Sequence, residues 1–140
     1  MGPASADMTE CDSESLMDQD RNLTVRDLMR TRPKTLPGNA TVGDLRRLFI
    51  DPRILDVLLV DDAAFVGVVD RDDVHGLPDD TPAHELAYSA GVTIRPDAKL
   101  TDAMARLEQD GAWRLVVVGP DGVALEGLLC LNAKRTGFCR

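Results

Sequence analysis

A chain of 140 residues has room for one ordinary domain, or for two small halves that share a core. Apolar residues make up 44% and aromatics only 4%, so the interior is aliphatic; a net charge of −8 argues against the basic surface that nucleic acid requires. No apolar run approaches the roughly 20 residues that span a bilayer, and Cys11, Cys130 and Cys139 suit neither a disulfide framework nor a zinc site. The expectation is a soluble, cytoplasmic protein with reduced thiols, no metal and no membrane contact.

Residues 1–22, MGPASADMTECDSESLMDQDRN, set six carboxylates against Arg21 alone. Such a segment cannot bury enough surface to offset the entropy of ordering, so it is expected to be a disordered acidic tail. It has neither the basic start nor the apolar stretch of a signal peptide. A short amphipathic helix follows in VRDLM at 25–29, then an extended stretch around Thr35-Leu36 and a Pro-Gly-Asn turn. Thr41 opens a longer helix whose apolar positions Val42, Leu45, Leu48 and Phe49 form one stripe. Two apolar runs, 57–60 and 65–69, joined by DDAA, read as strands buried on both faces. A short helix starting near Asp70 closes the unit.

The same order then recurs. With a shift of 58 positions, VRDLM falls on AHELA at 83–87, KTLPGNATVGDL at 34–45 on VTIRPDAKLTDA at 92–103, and VLLV on LVVV at 115–118. Two extra residues in the second turn raise the offset to 60, which sets GVV at 67–69 on GLL at 127–129. The second long helix opens at Lys99, with Leu100, Ala103, Met104 and Leu107 on its stripe, and Asp97 is expected at or just before its cap. Its strands, 115–118 and 123–129, join through GPDG, and a closing helix is expected from Cys130. One supersecondary unit is used twice.

Two tandem units of this kind, each ending in glycine, two apolar residues, a capping residue and a short helix, resemble the CBS domain (cystathionine-β-synthase-type) family. The pieces that carry the resemblance are VRDLM, KTL, ATVGDLRRLF, VLLVDD and FVGVVDRDDV, repeated in order in the second half. The resemblance implies an α/β fold: two CBS units, 23–77 and 78–140, packed sheet to sheet about a pseudo-two-fold axis as a Bateman module. It further implies a homodimer, clefts that take adenosine-type ligands such as AMP or S-adenosylmethionine, a regulatory role and no catalysis. The family's ribose signature is glycine, two apolars, Thr or Ser, two residues, then Asp. Residues 67–73, GVVDRDD, keep the final aspartate as Asp73 and put Asp70 in the Thr/Ser place, whereas 127–133, GLLCLNA, put Cys130 and Ala133 at those two positions.

Asp70 and Asp73 have a structural reading beside the ligand reading: a cap and a first-turn carboxylate stabilise a helix start by ~1 kcal/mol without any ligand. Asp73 is the residue on which ribose recognition would depend, since ribose hydroxyls need a carboxylate acceptor. Three carboxylates in this turn repel phosphate, which favours AMP, adenosine or S-adenosylmethionine over ATP. By the resemblance, Thr35 and Thr93 lie beside the adenine and Leu58 and Leu59, with Val116 and Val117, line the base; ordinary strand and core roles account for the same residues. Arg114, with Arg30, Arg32 and Lys34, supplies the cations near the clefts. His75 and His84 stand apart from other ligand-type residues, and no phosphate loop or nucleophile motif is present, which leaves no enzyme hypothesis. The competing function is a protein-interaction or dimerisation module that binds no small ligand.

Overall fold

The computed structural model describes residues 23–132 together with Gly137 and Phe138. The acidic segment 1–22, Ala133, Cys139 and most of the closing helix expected after Cys130 lie outside the described residues. The chain builds two three-stranded sheets. In the first, β1 (Thr35–Pro37) runs parallel to β2 (Asp56–Asp61), which pairs antiparallel with β3 (Ala64–Asp70). The second repeats this with β4 (Thr93–Ile94), β5 (Arg114–Val118) and β6 (Leu125–Cys130). Helix α2 (Val42–Phe49) crosses over between β1 and β2, and α3 (Leu100–Asp110) between β4 and β5. A helix between parallel strands is the connection that parallel pairing requires.

Each central strand is buried on both faces, as the unbroken apolar runs VLLV and LVVV predict. Alternation divides their side chains. Val57 and Leu59 join α2 in the first unit's own core, and Leu115 and Val117 join α3 in the second's. Leu58 and Val116 point the other way, into a shared layer with Val68, Val92, Val118, Leu128 and Cys130 that glues the two sheets together. Both sheets carry a bulge one residue past the pairing of the central strand with Gly67 or Gly127, so even the irregularity is repeated.

Caps define the helix starts. Thr41 and Asp44 form a reciprocal capping box, with the Thr41 N–H donating to Asp44 Oδ2 at 3.0 Å and the Asp44 N–H to Thr41 Oγ1 at 3.3 Å. The second long helix corrects the expectation for Asp97. Lys99 occupies the cap position without a side-chain bond, Asp97 faces Arg95 at 3.4 Å, and the Leu100 N–H donates to the Leu23 carbonyl at 3.0 Å. A backbone oxygen from a distant segment takes the place of an aspartate side chain.

That segment exposes the main tertiary feature. The leader helix α1 (Val25–Leu28) precedes the first unit in sequence, yet Val25 and Leu28 pack in the second unit's core beside Leu100, Leu107 and Leu129. The corresponding leader of the second unit, with Ala83, Leu86 and Ala87, packs on the first unit's core. Each leader also adds an edge to the other unit's sheet: Arg30 and Leu128 exchange N–H···O bonds of 2.8 and 2.9 Å, and Val68 and Tyr88 exchange bonds of 2.9 and 3.1 Å. The repeated glycines permit this crossing. A Cβ on Gly67 would lie 2.8 Å from Ala87 Cβ, and one on Gly127 would lie 2.6 Å from the Arg30 carbonyl oxygen. The two units are interlocked rather than merely apposed.

Candidate functional site

The turn after β3, residues 70–73, sends its four charged side chains in different directions. Asp70, half-buried, turns its carboxylate across the seam toward the second unit. Arg71 folds back, its guanidinium donating to the carbonyls of Phe49 at 2.6 Å, Ile54 at 2.7 Å and Asp51 at 3.2 Å, which satisfies oxygens at the last residue of α2 and just past it. Asp72 is exposed. Asp73, also exposed, accepts the Asp70 N–H through Oδ2 at 2.9 Å, which places its charge on the first turn of the 3₁₀ segment Arg71–Val74.

Asp70 meets Arg114, which stands at the start of β5 with only 3% of its side chain exposed. Arg114 Nε donates to Asp56 Oδ2 at 2.5 Å, and Nη2 donates to Asp70 Oδ1 and to the Tyr88 hydroxyl, each at 2.5 Å. The Tyr88 hydroxyl in turn donates to Asp70 Oδ2 at 2.9 Å. The guanidinium lies 5.6 Å from the Tyr88 ring centroid and 5.3 Å from that of Trp113, within cation–π range of both. The chain's single tyrosine and single tryptophan therefore both flank this one cation. Burial works against the Arg114 charge, but Asp56, the Tyr88 hydroxyl and Asp70 outweigh it and raise its pKa above the ordinary range. Burial pushes the Asp56 carboxyl up, with the Arg114 charge pulling against that shift.

Asp56 and Arg114 are 58 positions apart, the offset of the repeat. Equivalent positions of the two units thus face each other across the pseudo-two-fold axis, where an unchanged duplication would set like against like. Here an acid faces a base. The same relation makes Arg30 the counterpart of Tyr88 and Cys130 the counterpart of Asp70, so the two flanks of the axis differ in charge. On the Cys130 side the thiol is pushed up to about 12, first by burial and then by the negative charge of Asp56.

The sequence-predicted residues fall as follows. Thr35 and Thr93 occupy matching places, paired in register with Leu58 and Val116 respectively. Leu58 lies fully buried in the layer between the sheets, whereas Leu59 lies fully buried on the opposite face of β2, in the first unit's core. Asp70 and Arg114 are brought into contact, and Asp73 sits on the same turn. Arg30 pairs with Leu128 through its backbone, and Arg32 and Lys34 are exposed. Asp56 and Tyr88 were not among the sequence candidates. The signal that would have found Asp56 is the repeat itself, which sets it opposite Arg114. Among the described residues no group of three or more His, Cys, Asp or Glu side chains is placed to hold a metal.

Two interlocked units of helix, parallel strand and hairpin, joined face to face with a charged cluster on their axis, define the class of protein. The family model described as CBS domain matches residues 25–80. No curated protein matches the chain. Among solved structures, AcuB from Vibrio cholerae is similar at 25% identity and a TM-score of 0.68, over 77% of this chain and 84% of that one. A CBS domain protein from Pyrobaculum aerophilum, solved in complex with AMP, is similar at 23% identity and a TM-score of 0.67, over 77% of this chain and 87% of that one. A CBS domain pair solved with 5′-methylthioadenosine and S-adenosyl-L-methionine follows at 17% identity and a TM-score of 0.65, over 76% and 88% of the two chains. Residues 25–80 match the CBS domain family, and the chain has the fold of a CBS pair.

Proposed function

We propose that this CBS pair is a cytoplasmic regulatory module that works as a homodimeric sensor and binds an adenosine-type ligand in the cleft at the end of β3. The reading assigns no catalytic residue and no metal. The observation that carries it is Asp73: an exposed carboxylate, anchored by one oxygen to the Asp70 N–H at 2.9 Å, at the place where the family signature has its ribose acceptor. Asp70 and Arg114 stand beside it across the seam. Thr35 and Thr93 offer their segments to the base, and Leu58 backs the cleft from the layer between the sheets. The ligand class is supported by the structural relatives solved with AMP, 5′-methylthioadenosine and S-adenosylmethionine.

Thermal unfolding with and without adenosine, AMP, ATP, S-adenosylmethionine and NAD tests the reading. A ligand that binds only the folded chain raises the midpoint, by an amount worth about 2.7 kcal/mol at a hundred times its Kd. Asp73→Ala should remove the shift, at an unliganded cost of only about 1 kcal/mol for the lost bond to the Asp70 N–H. A shift that survives Asp73→Ala places the ligand elsewhere. The second reading, a module that acts only through protein contacts, is favoured by the commitment of Arg114 to two carboxylates and predicts no shift with any adenosine compound.

A further inference from the structure

The cation expected to meet phosphate is already occupied. Arg114 is bound by Asp56 and Asp70, it is sealed from water to 3% exposure, and it is braced by the rings of Tyr88 and Trp113. Asp70 stands where the family signature has a neutral hydroxyl, so the chain has placed an acid where an uncharged group would leave a guanidinium edge open. Arg114 faces two carboxylates; Arg30 balances Asp56 from the other flank, and Arg71 is turned back onto the end of α2, so the Asp70 side, with Asp72 and Asp73 on the adjoining turn, is net negative. A phosphate entering here would have to pull Arg114 away from a buried partner and then sit among four carboxylates. A neutral or cationic nucleoside meets neither obstacle.

We infer that Asp70 is a specificity-determining residue that sequesters Arg114 and makes the Asp73 cleft select phosphate-free adenosine derivatives, neutral or cationic, over nucleotides. This rests on the proposed function and names the ligand class within it. On charge alone adenosine and S-adenosylmethionine, whose sulfonium is positive, are favoured there, and AMP and then ATP are increasingly disfavoured. The flank across the axis, with Arg30 and Cys130 in the places of Tyr88 and Asp70, lacks the extra acid and is not subject to this selection.

The test is calorimetric titration of the full chain with adenosine, S-adenosylmethionine, AMP and ATP at moderate salt, counting only binding that Asp73→Ala abolishes. Wild-type protein should bind adenosine and S-adenosylmethionine at least about tenfold more tightly than AMP, a factor worth about 1.4 kcal/mol. Asp70→Asn, which keeps the shape and removes the charge, should narrow the adenosine-to-AMP ratio by about tenfold. Asp72→Asn removes an equal charge from the same turn without touching Arg114, and should change the ratio by less than about threefold at moderate salt, as screening of an exposed charge requires. Trp113, the single tryptophan, gives an independent readout. Its fluorescence should change when AMP binds Asp70→Asn, because the phosphate then draws on Arg114 beneath the indole. Equal wild-type affinity for AMP and adenosine, or equal effects of the two Asn variants, overturns the role of Asp70 while leaving the cleft as an adenosine site. Absence of Asp73-dependent binding for all four compounds overturns the proposed function and this inference with it. The wild-type series decides even if Asp70→Asn fails to fold.

Discussion

Arg114 carries its charge into a place where 3% of the side chain meets water, and each of its nitrogens with a described bond is matched to a partner from the first unit or from the leader that packs on it. Such a pair is weak evidence of net stabilisation, but removing one member leaves an uncompensated buried charge. Arg114→Met should therefore destabilise the chain by about 3–5 kcal/mol in urea unfolding, and Asp56→Leu combined with Arg114→Met should recover most of that loss. A double variant no more stable than the single would show that the cluster does more than neutralise itself. Cys130 gives a pH prediction with a definite sign. Its thiol is raised from 9.0 to about 12 by burial, so the folded state keeps the proton that the unfolded state loses. Its contribution is fully present below pH 9 and is lost as pH rises toward 12. Between pH 7.5 and 10 the wild type should lose on the order of 1 kcal/mol more than Cys130→Ala, measured by urea unfolding at both values.

Among elements, the exchanged leaders explain a motif that reads in the sequence only as a recurring glycine. Gly67 and Gly127 lie where a leader crosses β3 or β6, and the obstacle to a side chain differs at the two sites. At Gly127 the nearest atom is a backbone oxygen at 2.6 Å, itself hydrogen-bonded to Leu128; at Gly67 it is a methyl carbon at 2.8 Å. Gly127→Ala should cost about 1–3 kcal/mol, the range for overpacking, and should cost more than Gly67→Ala, because its Cβ would meet the Arg30 carbonyl at 2.6 Å and Met29 Sδ at 2.8 Å, against Ala87 Cβ alone at 2.8 Å. Costs near zero at both sites in thermal unfolding would mean that both leaders shift freely. The long helices, by contrast, are legible from their stripes alone. Val42, Leu45 and Phe49 are buried, as are Leu100, Ala103 and Leu107, while the aspartate expected to cap the second helix yields to the Leu23 carbonyl. A capping side chain is a local choice that sequence can suggest; a carbonyl delivered from a leader across the molecule is not.

Over the whole molecule, the interlock removes independence from the halves. A fragment of residues 23–77 keeps its helix α1 but lacks the core that α1 packs on, and it also lacks Ala83 and Leu86 from its own core. Fragments 23–77 and 78–140 should each be largely unfolded by circular dichroism and should regain structure when mixed, because each supplies the other's leader. Two fragments that fold separately would show that the exchange contributes little. No helix among the described residues is long and apolar enough to cross a membrane.

The sequence by itself determined the repeat, the order of elements, the two-sided burial of the central strands and the position of Asp73. These are local patterns, written in hydrophobic period and in residue class at fixed offsets. Only the tertiary structure decided which unit each leader belongs to, that Leu58 faces the seam while Leu59 faces away, and that Asp70 is bound to Arg114. The reason is physical. An apolar face specifies that it be buried but not against what, and a charge specifies that it be balanced but not by which partner. Asp56 and Arg114 find each other because duplication placed them opposite one another on an axis, and an axis exists only once both units have folded together.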